Sequence, residues 1–290
     1  MKTNNKQKRQ VWLKGIVLFN LFTLLSFFVA CDHIDESERL IKVAEENNAT
    51  TPLTSNEEVS GTAKNVLIED FTGQRCSNCP NGTKIIEQLQ ETYGNDRVIA
   101  VGLYSGPFGK TAAGALLPLT TETGCTYYDN RQVESQPGAQ IDRRGVVIYN
   151  VQEWIKAVKE DLGFLAEVKM EVEAQINDES IDITLHEEAY GPFDGKLQVW
   201  ILEDGITAAQ IMPDGSANRN YVHNHVFRTA VNGTWGDDFS IAAGEEKTQT
   251  FSQPVDAAWN TDNLSVVAFV YNDDGVEQVA KEKVNKQKQQ

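Results

Sequence analysis

Positive charge is scarce in this chain, and scarcer still beyond its first thirty residues. Lysine and arginine number 26 against 42 aspartates and glutamates in 290 residues, a formal net charge of −16. Five of those bases (Lys2, Lys6, Lys8, Arg9, Lys14) fall within the first 30 residues, which hold no acid, so the remainder carries 21 bases against 42 acids. A surface of that sign repels nucleic acid and anionic headgroups, which excludes both as electrostatic partners. A membrane-spanning run is also lacking. The one clear apolar run, Gly15–Ala30, is interrupted by Asn20, Thr23 and Ser26 and falls short of the roughly 20 residues a spanning helix needs. Neither an internal repeat nor a series of about ten-residue membrane strands is present, which argues against a porin. Cysteine and histidine are equally sparse, at four each. The residues able to complete a zinc site beside Cys76 and Cys79, namely Cys125, His186, His223 and His225, lie far off in sequence. No metal and no cofactor is therefore expected.

The N-terminus combines a basic start, the apolar run and then Cys31, the pattern of an export signal. Phe28-Val29-Ala30-Cys31 resembles the lipobox of bacterial lipoproteins, in which the cysteine becomes the lipidated first residue, although Phe28 stands where leucine is usual. Residues 1–30 are accordingly read as a lipoprotein signal peptide, with the membrane as a partner through a lipid on Cys31. Cleavage before an ordinary cysteine is the alternative. Residues 31–61, polar and acidic, read as a flexible tether able to reach about 100 Å when extended.

From 62 to 163 the pattern alternates between strand and helix. Asn65–Phe71 and Arg97–Tyr104 are continuous apolar runs of the kind buried on both faces. Between them, Ile85, Ile86, Leu89 and Tyr93 share a helical face that Gly94 closes. Gly138–Tyr149 predicts a hairpin turning at Asp142–Gly145, and a last helix begins after an Asn150 cap with Glu153 three residues on. From 164 the period changes to two. Val168, Met170, Val172 and Ala174 alternate with charged residues, as do Ile181, Ile183 and Leu185 with polar ones; Leu197–Glu203 and Leu264–Tyr271 follow, the latter ending in Asn272-Asp273-Asp274-Gly275. The expected fold is thus α+β and multidomain: an α/β domain over 62–163, then an immunoglobulin-like antiparallel β-sandwich over 164–290.

The chemistry concentrates at Cys76-Ser77-Asn78-Cys79, between the first strand and its helix. A helix N-terminus favours a thiolate, and Arg75 adds a positive charge. Three readings stay open for the pair: a redox dithiol, a purely structural disulfide, or half of a zinc site. Residues 62–163 resemble the thioredoxin-like superfamily, with Asp70 six residues before the first cysteine and Pro137 directly before a strand. That resemblance implies that Cys76 is the nucleophile, Cys79 the resolving thiol, Asp70 a proton shuttle and Pro137, through a cis bond to Gln136, a shaper of the groove. Its implied partner is a protein thiol or disulfide. The chain departs from thioredoxin at Arg75, Ser77 and Asn78, and carries an insertion near 110–128 that includes Cys125. Arg75, Gly106, Pro107 and Phe108, in loops expected on one sheet edge, are candidates for contacting a partner.

Asp70-Phe71-Thr72-Gly73-Gln74-Arg75-Cys76, Cys79-Pro80-Asn81 and Tyr221-Val222-His223-Asn224-His225-Val226-Phe227-Arg228 carry a second resemblance. They resemble the outer-membrane lipoproteins of Bacteroidota named for a twenty-eight-kilodalton founding member. The resemblance spans nearly all of the chain after Cys31. It implies a surface-associated lipoprotein with an adhesin or porin role. The expected function is a lipid-anchored thiol–disulfide oxidoreductase acting through Cys76 and Cys79, facing the periplasm or the cell surface; the alternative is a surface binding module whose sandwich takes a protein or glycan ligand and whose CxxC only braces the fold.

Overall fold

A computed structural model describes residues 61–109, 118–177 and 179–286. The signal peptide, Cys31 and the tether lie outside these residues. Strand is the dominant structure. The short β1 (Thr62–Ala63) is followed by β2 (Val66–Thr72), α1 (Cys79–Tyr93), β3 (Val98–Tyr104), a single turn α2 (Gly106–Gly109), α3 (Glu122–Asn130), β4 (Gly138–Ile141) and α4 (Val151–Asp161). A run of strands then begins with the short β5 (Leu165–Ala166), which pairs β1. It continues through β6 (Val168–Asn177), β7 (Ser180–Ala189), β8 (Phe193–Glu203), β9 (Ile206–Ile211), β10 (Ala217–His223), β11 (Val226–Ala230) and β12 (Asp237–Ile241). The last four are β13 (Glu246–Pro254), β14 (Leu264–Asn272), β15 (Gly275–Lys283) and β16 (Asn285–Lys286).

Local sequence explains the first elements. β2 and β3 are buried along their whole lengths and pair in parallel, Leu67 beside Ile99 and Phe71 beside Leu103, as their unbroken apolar runs require. In α1, Ile85, Ile86 and Leu89 turn inward, and Gly94 at φ 99° ends the helix. The Asn150 side chain accepts from Gln152 N and donates to Glu153 Oε1, so α4 starts at an asparagine cap.

Residues 62–163 and 164–290 share one sheet. Its order is β15-β14-β8-β11-β3-β2-β4, with β12 also on β8, because β11 lies beside both β8 and β3. Val226 pairs in parallel with Gly102, whose N–H donates to His225 O at 2.7 Å. One face of this eight-stranded sheet carries a single core, in which Leu67, Ile99 and Leu103 continue into Trp200, Leu202, Val267 and Phe269. The opposite face is divided. Helices α1 and α4 cover Val66, Ile68, Val98 and Ala100, with Trp154 fully buried among them. A second sheet, β13-β7-β6-β16, covers Leu197, Val199, Ile201, Val266 and Ala268 with the alternating apolar residues of β6 and β7. That pair of sheets is the expected β-sandwich.

Two buried ion pairs tie β2, the β4 turn and the β14–β15 hairpin together. Lys64 Nζ lies 3.1 Å from Asp142 Oδ2 and donates to the Val276 and Glu277 carbonyls, while Asp142 Oδ1 accepts from Leu67 N. Arg143 bonds Glu69 Oε1 through Nε and Nη2 at 3.2 and 3.1 Å, and its guanidinium lies 4.2 Å from the Tyr271 ring centre and 4.7 Å from that of Phe269. Asp142 and Arg143 sit at φ 47° and 55°, a left-handed pair that non-glycine residues adopt at a cost of about 1–2 kcal/mol each. The pairs hold the turn in that conformation. Removing one partner leaves a buried charge alone, so Glu69→Ala is expected to destabilise the protein by about 3–5 kcal/mol in urea unfolding. The apolar double variant Glu69→Leu, Arg143→Met should lie closer to wild type than Glu69→Ala does.

Candidate functional site

The loop from Gly73 to Asn78 leaves the end of β2 and turns into α1. Cys76 and Cys79 form a disulfide across it, with Cα atoms 5.4 Å apart, and both are buried at 3% and 2% exposure. Cys76 therefore lies one turn before the start of α1, and Pro80 occupies the first turn. Ser105–Gly109, following β3, meets this loop as the parallel pairing requires: Arg75 N donates to Phe108 O at 3.1 Å and Ser105 N to Thr72 O at 3.2 Å. Gly73 permits the approach, since a Cβ there would lie 2.4 Å from the Phe108 carbonyl carbon.

Several of the sequence candidates converge here. The Gln136–Pro137 bond is cis, and the Gln136 amide donates to Thr72 O and Ser105 O at 2.6 and 3.1 Å. Pro137 is buried against α1 near Gly82, the small residue that also admits Trp154 of α4. Arg75, Pro107 and Phe108 are exposed beside the loop, whereas Gly106 is buried at φ 61°. Asp70 points from β2 to the α1 side. Cys125 is a free, half-buried residue of α3 and is not paired with the CxxC.

Asp70 lines a cavity of about 30 Å³ with Thr83, Ile86 and Glu87 of α1, Tyr104 of β3, and Tyr221 and His223 of β10. Burial pushes the Asp70 carboxyl up to about 7 and pulls the His223 imidazole down to about 4. His223 Nδ1 and the Tyr104 hydroxyl are hydrogen-bonded at 2.8 Å. Asp70 Oδ1 and His223 Nε2 are buried without a partner and border the same water-sized space. His223 and His225 do not share a strand face as an unbroken strand would have them. β10 ends at His223, and His225, at φ 57°, lies beside Asp204 with Nδ1 3.2 Å from Oδ1. Among the described residues no group of three or more potential ligands gathers for a metal.

The strand β9 was silent in the sequence, yet it touches the loop most closely. Gln210 Nε2 donates to Cys76 O at 2.9 Å and Gly73 O at 3.3 Å, Gln74 Nε2 donates to Ala209 O at 3.1 Å, and Ile211 N donates to Gln74 O at 2.9 Å. Gln74 and Gln210 are buried at 0% and 3% exposure. A glutamine inside the pattern Ile206-Thr-Ala-Ala-Gln210-Ile carries no sign of such a role.

Residues 125–288 match the family model described as outer membrane protein Omp28. The chain belongs to the Omp28 family. The matched span takes in the sandwich and stops short of Cys76 and Cys79. HBP35 of Porphyromonas gingivalis is similar in fold, with a TM-score of 0.59 at 15% identity over 80% of this chain and 79% of that one. A domain of the outer membrane lipoprotein Omp28 from the same organism is 26% identical over 43% of this chain and 93% of its own, with a TM-score of 0.32. Spo0M of Bacillus subtilis gives 0.30 at 14% identity, covering 43% of this chain and 50% of that one. No protein of curated function matches the chain in sequence. Membership of this family agrees with the expected place at the outer membrane. No helix among the described residues is long and apolar enough to cross a membrane.

Because the folded pKa of Asp70 exceeds its ordinary 3.8, the folded protein holds that proton more tightly than the unfolded chain. The resulting stability is full below about pH 4, falls as pH rises towards 7 and is flat above. Asp70→Asn should remove this slope and raise stability at pH 8 by about 4 kcal/mol, read from urea midpoints between pH 4 and 8.

Proposed function

We propose that this protein is held at the outer membrane by a lipid on Cys31 and that its β-sandwich is a binding module for a protein or glycan ligand. In this reading the Cys76–Cys79 disulfide braces the loop between β2 and α1. The carrying observation is the burial of both cysteines at 3% and 2% exposure, with the carbonyls of their loop hydrogen-bonded to β9. A nucleophilic cysteine needs a partially exposed sulfur, whereas a buried one is inert. The family match supports the same division of labour, since it spans 125–288 and leaves Cys76 and Cys79 out. The acidic surface suits neutral or basic ligands and not polyphosphates.

A second reading has its own support. Cys76 precedes a helix N-terminus, Asp70 is a buried carboxyl raised to about 7, and a cis-proline lies against the same helix. They support a reading of 62–163 as a thioredoxin-like thiol–disulfide exchange site, in which Cys76 would attack and Cys79 resolve.

Measuring the reduction potential of the pair in the full chain separates the two. A bracing disulfide should lie below about −300 mV, and the double variant Cys76→Ser, Cys79→Ser should lose only about 2 kcal/mol, the contribution of so short a loop. A potential between about −120 and −270 mV, with the Cys76 thiol titrating well under 8.5, would overturn the bracing assignment in favour of exchange.

A further inference from the structure

We propose that β9 and β10 form a strap over the Cys76–Cys79 loop, and that opening this strap admits a dithiol or protein cysteine to the disulfide. The two strands pair only with each other among the described residues, although the chain on either side, β8 and β11, is built into the eight-stranded sheet. Both ends of the strap sit at positive φ, Gly205 at 73° and His225 at 57°. They are clipped together by Gly205 N donating to Asn224 Oδ1 at 2.9 Å and His225 N donating to Asp204 Oδ1 at 2.6 Å. Its far end, from Pro213 to Asn220, is exposed. Between base and tip the strap is attached to the loop by polar contacts: Gln210 to the Gly73 and Cys76 carbonyls, Gln74 to the Ala209 carbonyl, and Ile211 to the Gln74 carbonyl.

Ile206 packs with Tyr104, Leu119 and Val226 at the base and His223 bonds Tyr104, but from Ala209 to the tip the strap is held by amide–carbonyl bonds, and that part opens at lower free energy than the sheet around it. Two of those acceptors, Gly73 O and Cys76 O, belong to the loop whose path the disulfide constrains. Breaking the S–S bond frees Cys76 from Cys79 and relaxes the carbonyls that Gln210 grips. Closure is therefore coupled to oxidation. His223 belongs to the same strap, and its bond to Tyr104 seats the strap next to Asp70.

The chemistry that opening permits is balanced as follows. A thiolate of an external dithiol attacks Cys76 Sγ, and Cys79 leaves as a thiolate. The second donor thiol then attacks the mixed disulfide and releases Cys76, so the donor is oxidised to its disulfide while its two protons end on Cys76 and Cys79. The inference takes only its partner class from the exchange reading. Closure itself is independent of any physiological reaction.

The test is the rate at which dithiothreitol reduces the disulfide in the full, folded chain, followed by alkylation and mass measurement. Gln210→Ala is expected to be reduced about ten-fold faster than wild type under native conditions, and equally fast in concentrated guanidinium chloride. Equal native rates would overturn the strap. A measurement on the wild-type chain guards against a misfolded variant. Hydrogen exchange of residues 206–223 should quicken about ten-fold on reduction while β8 and β14 stay protected, and unchanged protection of 206–223 would overturn the coupling. Faster reduction of Gln210→Ala together with a potential below about −300 mV would retain the strap and dismiss exchange as the function.

Discussion

Arg143 ties the two halves of the chain together across the shared sheet. Its guanidinium answers Glu69 of β2 on one side and the rings of Tyr271 and Phe269 on the other, in a place where an unanswered charge would cost several kcal/mol. Lys64 and Asp142 repeat the arrangement one step along, adding the carbonyls of Val276 and Glu277. These contacts tie β2 and the turn after β4 to the last hairpin. The CxxC loop leaves directly from the end of the β2 strand that these pairs hold.

With that clamp in place, the shared sheet divides the labour of its faces. One face is a single core from Leu67 to Phe269, while the other is helical over β2–β4 and sheet-covered over β8 and β14. Asp70 lies on the helical face, where the covering layer passes from α1 to the strap that carries His223. Its lack of a charged partner follows from this position. Glu69, one residue earlier, points to the opposite face and finds Arg143.

Much of this was legible in the residues themselves. The apolar runs of β2 and β3, the Asn150 cap, the period-two patterns of β6 and β7 and the Asn272–Gly275 turn all appear as expected, since each depends on local periodicity or turn chemistry. The cis bond before Pro137 was expected by resemblance and is present. What escaped notice depends on long-range pairing. β13 reads Glu-Lys-Thr-Gln-Thr-Phe-Ser-Gln-Pro, almost wholly polar, and is a strand only because β7 templates it. The boundary at 163/164 marks a change of period and does not interrupt the sheet, because β11 crosses back to pair β3. Gln74 and Gln210 are buried polar residues, each donating to backbone carbonyls of the other's segment, and no spacing announces that.

The insertion of β11 between β8 and β3 has a consequence for the order of assembly. Gly102 waits for a neighbour 124 positions downstream, at Val226, before its edge of the sheet is closed. A chain made from its N-terminus therefore presents β2, α1 and β3 with one side unpaired until nearly four-fifths of it has emerged, and contacts so distant in sequence form slowly. Cys76 and Cys79, only three residues apart, need no such wait. Their bond can close once the exported chain meets an oxidant and before β9 has docked over the loop, so the covalent step comes early and the lid over it late.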